Sequence, residues 1–291
     1  MRTGPPTSRA KEQQIRHWNT VAPGWADWFE WTERNFSPLT AWLRDATGWE
    51  PGARLLDVAC GAGYPALAAA VAARPGGRVV AIDISLEMLA AAARRAADAA
   101  IDNVDFLEGD ADQLSFDDNS FDGVTNAYGL MFSADPERAV REAHRVLKPG
   151  GRLALVTWHD PSTSPFFSIA GGAAARFLAL PPPAPMTPGP FRFARTDALE
   201  TMLNDSGFSS VHIEARSMTF ECASAAQYFQ IFTDLAWKSR IVSLSEAEVS
   251  RFRDAVVEAA RPFLDGDRLH LAATSLCASG RKSSAPQGPV S

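Results

Sequence analysis

Cysteine is scarce in this sequence: Cys60, Cys222 and Cys277 are the three present among 291 residues. An odd number at wide spacings, with no CxxC and no HExxH, points to neither a disulfide framework nor a structural zinc site. All three are expected to be small buried apolar side chains. Positive charge is in deficit. With 28 Lys+Arg against 34 Asp+Glu the formal net charge is −6, so there is no broad basic field to hold a phosphate backbone, and nucleic acid is not expected as a partner. No stretch reaches the roughly 18 unbroken apolar residues of a membrane span. Met1 to Trp18 is polar and lacks the apolar core of a signal peptide, which leads to the expectation of a cytoplasmic protein. Core material is plentiful: 46% of the residues are hydrophobic and 21% charged, enough for one large α/β domain and too apolar for a disordered chain.

From Arg54 to Trp158 short aliphatic runs alternate with Ala-rich stretches, the order that builds a parallel sheet with crossover helices. Strands are predicted at 54–59, 78–83, 104–108, 123–127 and 152–158, and helices at 65–73, 86–99 and 136–147. Pro65 and Pro136 fit as first-turn residues, since each gives up only an amide the helix does not use. Residues 160–195 contain a proline-rich run, Pro181 to Pro190, that fits neither a strand nor a helix interior and reads as an insertion. A helix starting at Thr196, capped by Thr or Asp and ended by Gly207, leads to a strand near 209–220. Residues 223–264 read as a helical insertion, with Ser245 and Glu248 at capping-box spacing. A last strand is expected near 269–279 and a disordered tail at 281–291. The first fifty residues hold Trp18, Trp25, Trp28, Trp31, Phe36 and Trp42 and read as a further helical segment. The chain thus divides into an aromatic segment (1–50), a core (51–159, continued by 196–222 and 265–280), two insertions (160–195 and 223–264) and a tail (281–291).

The segment Leu55-Leu56-Asp57-Val58-Ala59-Cys60-Gly61-Ala62-Gly63 is a hydrophobic strand that ends in a carboxylate and a glycine-rich turn. Such a turn lets backbone approach a ligand closely. About twenty residues on, Asp83 ends the second predicted strand, where a carboxylate accepts hydrogen bonds from two ribose hydroxyls. Together they outline a nucleoside site. Gly61-Ala62-Gly63-Tyr64-Pro65-Ala66 also satisfies the looser dinucleotide fingerprint, so an NAD(P) enzyme is one reading. Against it, Pro65 removes an amide where a pyrophosphate would dock, and Asp57 places negative charge nearby. The same Asp57 suits a cationic ligand, such as a sulfonium nucleoside.

LLDVACGAG, VVAIDIS with Met88, EGDADQLSFDDNSFDGV and REAHRVLKPGGRLALVTW occur in order between Arg54 and Trp158. In these motifs the chain resembles class I S-adenosylmethionine-dependent methyltransferases, specifically the small-molecule group similar to the ubiquinone/menaquinone biosynthesis (UbiE-like) enzymes. The resemblance implies a Rossmann-like, doubly wound, seven-stranded, mostly parallel sheet whose last strand inserts antiparallel, with helical lid insertions. It also implies cofactor binding through Asp57, the backbone of Ala59, Gly61 and Gly63, and the ribose on Asp83. Adenine would lie between Ile84, Met88 and Ala111 with Asp110 at its exocyclic amine, and Asn126 near the methionine part. The product would be S-adenosylhomocysteine. Nine acidic residues from Asp98 to Asp122, uninterrupted by Lys or Arg, lack calcium-loop spacing; they read as a solvated face, and no metal is expected.

Methyl transfer from a sulfonium is an in-line displacement in which positioning and exclusion of water supply much of the rate. Both insertions leave from carboxyl ends of strands, so they are expected to close over an apolar acceptor pocket together with the N-terminal segment. Its candidate residues are Trp25, Trp28, Tyr128, Met131, Phe132, His159 and Phe166, with His159, Tyr128 and His17 as candidate bases. Asn126-Ala127-Tyr128-Gly129 falls where nucleic-acid amino-methyltransferases carry Asn/Asp-Pro-Pro-Tyr, without the prolines. A small hydrophobic or aromatic metabolite is therefore the expected acceptor. A nicotinamide oxidoreductase and a non-methylating binder or cyclase are the alternatives, and the Trp-rich N-terminus is a candidate surface for self-association.

Overall fold

The structure, a computed structural model, describes residues 9–178 and 187–284. Much of the predicted proline-rich run (181–186) and most of the predicted tail (285–291) lie outside the described residues. The sheet is built from Arg54–Val58 (β1), Arg78–Asp83 (β2), Val104–Glu108 (β3), Phe121–Ala127 (β4), Leu147–Trp158 (β5), Phe208–Cys222 (β6), Leu264–Asp265 (β7) and Arg268–Lys282 (β8). Beyond an exposed first residue, β1 and β2 are buried throughout. Helices cover both faces there, which is why these strands read as unbroken apolar runs instead of alternating ones.

The strand order is β3-β2-β1-β4-β5-β8-β6. β1 to β5 pair in parallel, and β8 lies antiparallel between β5 and β6, as the family resemblance implies. Two-residue β7 forms a hairpin with the start of β8 and brings the count to eight instead of seven.

The helices are Arg9–Asp27 (α1), Phe29–Thr47 (α2), Ala66–Ala72 (α3), Leu86–Asp98 (α4), Pro136–Val146 (α5), Pro165–Phe177 (α6), Thr196–Asp205 (α7), Ala225–Phe232 (α8), Lys238–Ile241 (α9) and Glu246–Ala260 (α10). A π-helical turn, Thr233–Trp237, joins α8 to α9. Ser85 caps α4 by accepting from the Met88 amide, and Asp135 caps α5 ahead of Pro136. The Ser245–Glu248 capping box is formed in both directions. Pro65 precedes α3 instead of opening it. Helix α7 opens at Thr196 as expected, but the position before it is Arg195, which makes no side-chain cap, while Asp197 turns back to pair with it at 2.8 Å.

The N-terminal segment folds as the helix pair α1 and α2. Phe36, Leu39, Trp42 and Leu43 of α2 join the main core, whereas Val21 and Ala22 of α1 and Phe29 of α2 form a second cluster with Met88 and Ala91 of α4. Trp31, Phe36 and Trp42 of this segment are buried, whereas Trp18, Trp25 and Trp28 are half-buried; the exposed large apolar residues (Val71, Leu86, Leu107, Val242, Phe263 and Leu264) all lie elsewhere. Cys60, Cys222 and Cys277 are buried and free. Among the described residues, no helix is long and apolar enough to cross a membrane.

Candidate functional site

The carboxyl ends of β1 and β4 turn sharply side by side. Ala59 and Tyr128, neither of them glycine, hold φ values of 60° and 63°. For residues carrying a Cβ that conformation is costly, and such strain gathers where a fold must present backbone to a ligand. Gly61 and Gly63 continue the first turn at φ 52° and 112°. The two turns touch: a Cβ on Gly129 would lie 2.4 Å from that of Ala59. The glycine is therefore what lets the β4 turn close against the glycine-rich one.

Two carboxylates stand in this crevice. Asp83, 8% exposed at the end of β2, accepts from the Gly61 amide and the Ser85 amide, each at 2.9 Å. It thereby ties the glycine turn to the start of α4. Burial pushes its carboxyl above the ordinary range, against the pull of those amides. Asp57, 1% exposed, accepts from the Thr125 hydroxyl at 2.7 Å through Oδ1, while Oδ2 is buried with no hydrogen-bond partner. Burial pushes the Asp57 carboxyl up to about 8; the Thr125 bond and the Ala66 amide at the start of α3 oppose this, and the neighbouring charge of Asp83 adds to it. An orphaned carboxylate oxygen at the mouth of a glycine turn is a group in want of a cationic or donor ligand.

The remaining predicted cofactor residues lie at the end of β4 and on the segments that follow β2 and β3. Asn126 is buried, and its Oδ1 accepts from the Gly129 and Leu130 amides at 3.0 and 2.8 Å, which commits the oxygen and leaves the amide NH2 as the donor for a ligand. Ile84 and Ala111 are half-buried. Met88 is buried in the cluster beneath α1. Asp110, after β3, accepts from the Asp112 amide at 3.0 Å and is paired with Lys11 of α1. The long acidic stretch is not a bare solvated face. Asp102 pairs with Arg74, Asp105 with Arg78, Asp118 with Arg145 and Asp122 with Lys148. Basic residues absent from the stretch itself arrive from other elements. Among the described residues no group of three or more His, Cys, Asp or Glu could hold a metal ion.

Beside the strained turns stands an aromatic wall. The Tyr128 ring stacks on Trp158 at the end of β5, 4.2 Å between centroids and 26° apart. Phe36 lies 5.0 Å from Tyr128 and 5.4 Å from Tyr64, and Phe167 meets Trp158 edge-on at 4.5 Å. Phe36, Tyr64 and Trp158 were not among the sequence candidates. Trp158 and Tyr64 carried a signal, since one ends a motif and the other directly follows one, but Phe36 is brought here by helix packing alone. Of the residues predicted for the acceptor, Tyr128 belongs to the wall, whereas Met131 is buried in the main core and Phe132 packs edge-on against Trp18 at 5.0 Å.

Three others are committed elsewhere. Trp25 donates to the Leu235 carbonyl at 3.1 Å and Trp28 to the Asp234 carboxylate at 2.9 Å, both in the π-helical turn. Phe166 stacks on Phe220 at 4.3 Å inside the core. Their polar or stacking contacts are thus made within the cover and the core.

The three candidate bases are not brought together. The His159 ring bonds the Thr163 hydroxyl at 3.3 Å in the turn after β5. His17 stands near Arg240, and burial and that positive charge both lower its pKa. Tyr128 is half-buried as a residue, but its hydroxyl end is packed inside against the Ser275 hydroxyl at 2.8 Å, and burial raises the phenol well above its ordinary value. Its hydroxyl is engaged with Ser275, which opposes that rise, and burial disfavours the phenolate that a base would need.

A family profile described as a methyltransferase domain matches residues 56–155, the span from β1 to β5 that carries these turns. The chain is 44% identical over 125 residues to a demethylmenaquinone methyltransferase of Renibacterium salmoninarum, covering 43% of this chain and 49% of the relative. It is 35% identical over 178 residues to the ubiquinone/menaquinone biosynthesis C-methyltransferase UbiE of Bradyrhizobium diazoefficiens, covering 56% of this chain and 68% of the relative. The chain spans about half the length of several of the curated relatives it matches. Among solved structures, the [4+2]-cyclase SpnF has the same fold, with a TM-score of 0.62 at 23% identity over 97% of this chain and 100% of that one. The phosphoethanolamine N-methyltransferase 2 of Haemonchus contortus shares it too, with a TM-score of 0.60 at 17% identity, over 96% of this chain and 61% of that one. With the strained turns after β1 and β4 and the carboxylate closing β2, these matches mean that the chain belongs to the methyltransferase family of the ubiquinone/menaquinone biosynthesis enzymes.

Proposed function

We propose that the protein transfers the methyl group of S-adenosylmethionine to a small apolar or aromatic metabolite, of the quinone type named in its relatives. The observation that carries this reading is Asp83. It sits at the carboxyl end of β2, bonded to the glycine turn and to the start of α4, so a ribose held there is fixed relative to both. Asp57 supports it: a buried, unpartnered carboxylate oxygen fits a cationic donor and is a poor neighbour for a pyrophosphate. Pro65, lacking an amide at the start of α3, counts against a nicotinamide dinucleotide for the same reason.

When bound, S-adenosylmethionine supplies an electrophilic methyl on a sulfonium. The chain's own residues bind, orient and exclude water. Asp83 would hold the ribose hydroxyls, Asp110 the adenine amine, Ile84, Met88 and Ala111 the base faces, and the Asn126 amide the carboxylate of the amino-acid tail. The half-buried rings of Tyr64 and Tyr128, backed by Phe36 and Trp158 in the core, would receive a flat apolar acceptor and keep water from the reacting carbon. Tyr128 would serve through its ring, its hydroxyl being held by Ser275. With no base at the wall, an acceptor already nucleophilic suits the site, and positioning is the main source of rate.

Calorimetry with S-adenosylhomocysteine is expected to show binding that weakens by about 1–3 kcal/mol in Asp83→Ala, the cost of losing charged hydrogen bonds. Incubation with labelled donor and quinol extracts should give a product heavier by one methyl. Binding of NAD(H) alone, or donor binding with products of unchanged mass, would overturn the reading.

A further inference from the structure

Helix α1 lays one face along the crevice. Lys11, Gln14 and Trp18 follow the spacing of three and four that shares a helix face, and Asn19 extends it. Each reaches a different part of the core. The Lys11 ammonium pairs with Asp110 and stands 3.6 Å from Asp112 Oδ2. The Gln14 amide donates to the Phe132 carbonyl at 2.5 Å, and the Trp18 ring packs on Phe132. Asn19 Oδ1 accepts from the Ser85 hydroxyl at 2.6 Å, two residues past Asp83.

The ion pair is partly withdrawn from water: the side chains of Lys11, Asp110 and Asp112 are 18%, 32% and 11% exposed. Asp110 is also the carboxylate that, on the donor reading above, accepts from the adenine amine. An ammonium and an exocyclic amine make the same demand on it. Asp112 is held independently, accepting from the Ser133 hydroxyl and, at 3.3 Å, from the Asp135 amide.

We propose that Lys11 is an internal competitor for the adenine subsite: it latches α1 to Asp110 in the free protein and shifts to Asp112 when the base arrives. Arrival of the base and the shift of Lys11 from Asp110 to Asp112 are then one event. Whatever fraction of molecules is latched lowers the apparent affinity in proportion.

The test is Lys11→Met, with S-adenosylhomocysteine, whose neutral sulfur avoids any direct effect of salt on a sulfonium. Calorimetry should show binding about threefold or more tighter than in the wild type, the range expected for release of a partly screened ion pair. The difference should shrink in about 1 M salt, less than for an exposed pair because this one is partly withdrawn from water. Amide exchange over residues 9–20 of the free variant should quicken. Wild-type binding that is unchanged or weakened in Lys11→Met would overturn the latch and leave the donor reading standing. Failure of both proteins to bind would overturn both.

Discussion

Asp57 carries an energetic cost that the ligand is expected to relieve. Its ordinary pKa is 3.8 and its folded one about 8. Between those values the folded protein keeps a proton that the unfolded chain has released, so stability falls as pH rises through that interval. In Asp57→Asn the titration is gone, and the denaturation midpoint should lose that part of its decline from about pH 4 to about pH 8. A bound cation acts in the opposite sense, favouring the carboxylate. The ratio of S-adenosylmethionine to S-adenosylhomocysteine affinity should therefore climb with pH up to about 8 and level off above it in the wild type, and stay flat in the variant. The ratio cancels the amino-acid tail common to both ligands. Parallel profiles for the two proteins would show that Asp57 does not face the sulfonium. Both Asp57 and Asp83 were legible in the sequence because each closes a strand, and strand ends are local. The phenol of Tyr128 was not: its burial against Ser275 joins positions 147 residues apart.

Helix starts whose capping signal lies within a few residues were readable, as in Ser245 with Glu248. Sequence pattern was less sufficient where tertiary pairing extends an element. Lys148-Pro149-Gly150-Gly151 reads as a turn, yet β5 begins at Leu147, which pairs with Phe121, and the register shifts between that pair and Gly123. The meeting of α1 with the π-helical turn was equally hidden. Trp25 and Trp28 reach Leu235 and Asp234 across more than two hundred residues, and a Cβ on Gly24 would lie 2.4 Å from the Asp234 carbonyl oxygen. That close approach makes Gly24 the point where the N-terminal helix and the second insertion lock together. Gly24→Ala should force the two apart, at about 1–3 kcal/mol, the usual cost of overpacking. Hydrogen exchange is expected to rise in both α1 and residues 233–237 while β1, β2 and β4 stay protected. Faster exchange in α1 alone would mean that the two elements do not move as a pair.

The core and its cover share one interior. Leu56, Val80 and Val156 of the sheet belong to the same buried cluster as Trp31 and Phe36 of α2, Phe166 and Ala170 of α6, and Tyr228, Phe252 and Val256 of the second insertion. Helix α1 differs, since its buried residues sit in the smaller cluster over α4. A cover grown into the core cannot unfold on its own, whereas α1 can leave without opening the sheet. Scanning calorimetry should accordingly give a single cooperative transition, and S-adenosylhomocysteine should raise it as one peak. The gain is about 2.7 kcal/mol when the ligand stands at a hundred times its dissociation constant. Two separable transitions, with the ligand moving one of them, would mean that the insertions form an independent body and that the acceptor wall is assembled only on docking.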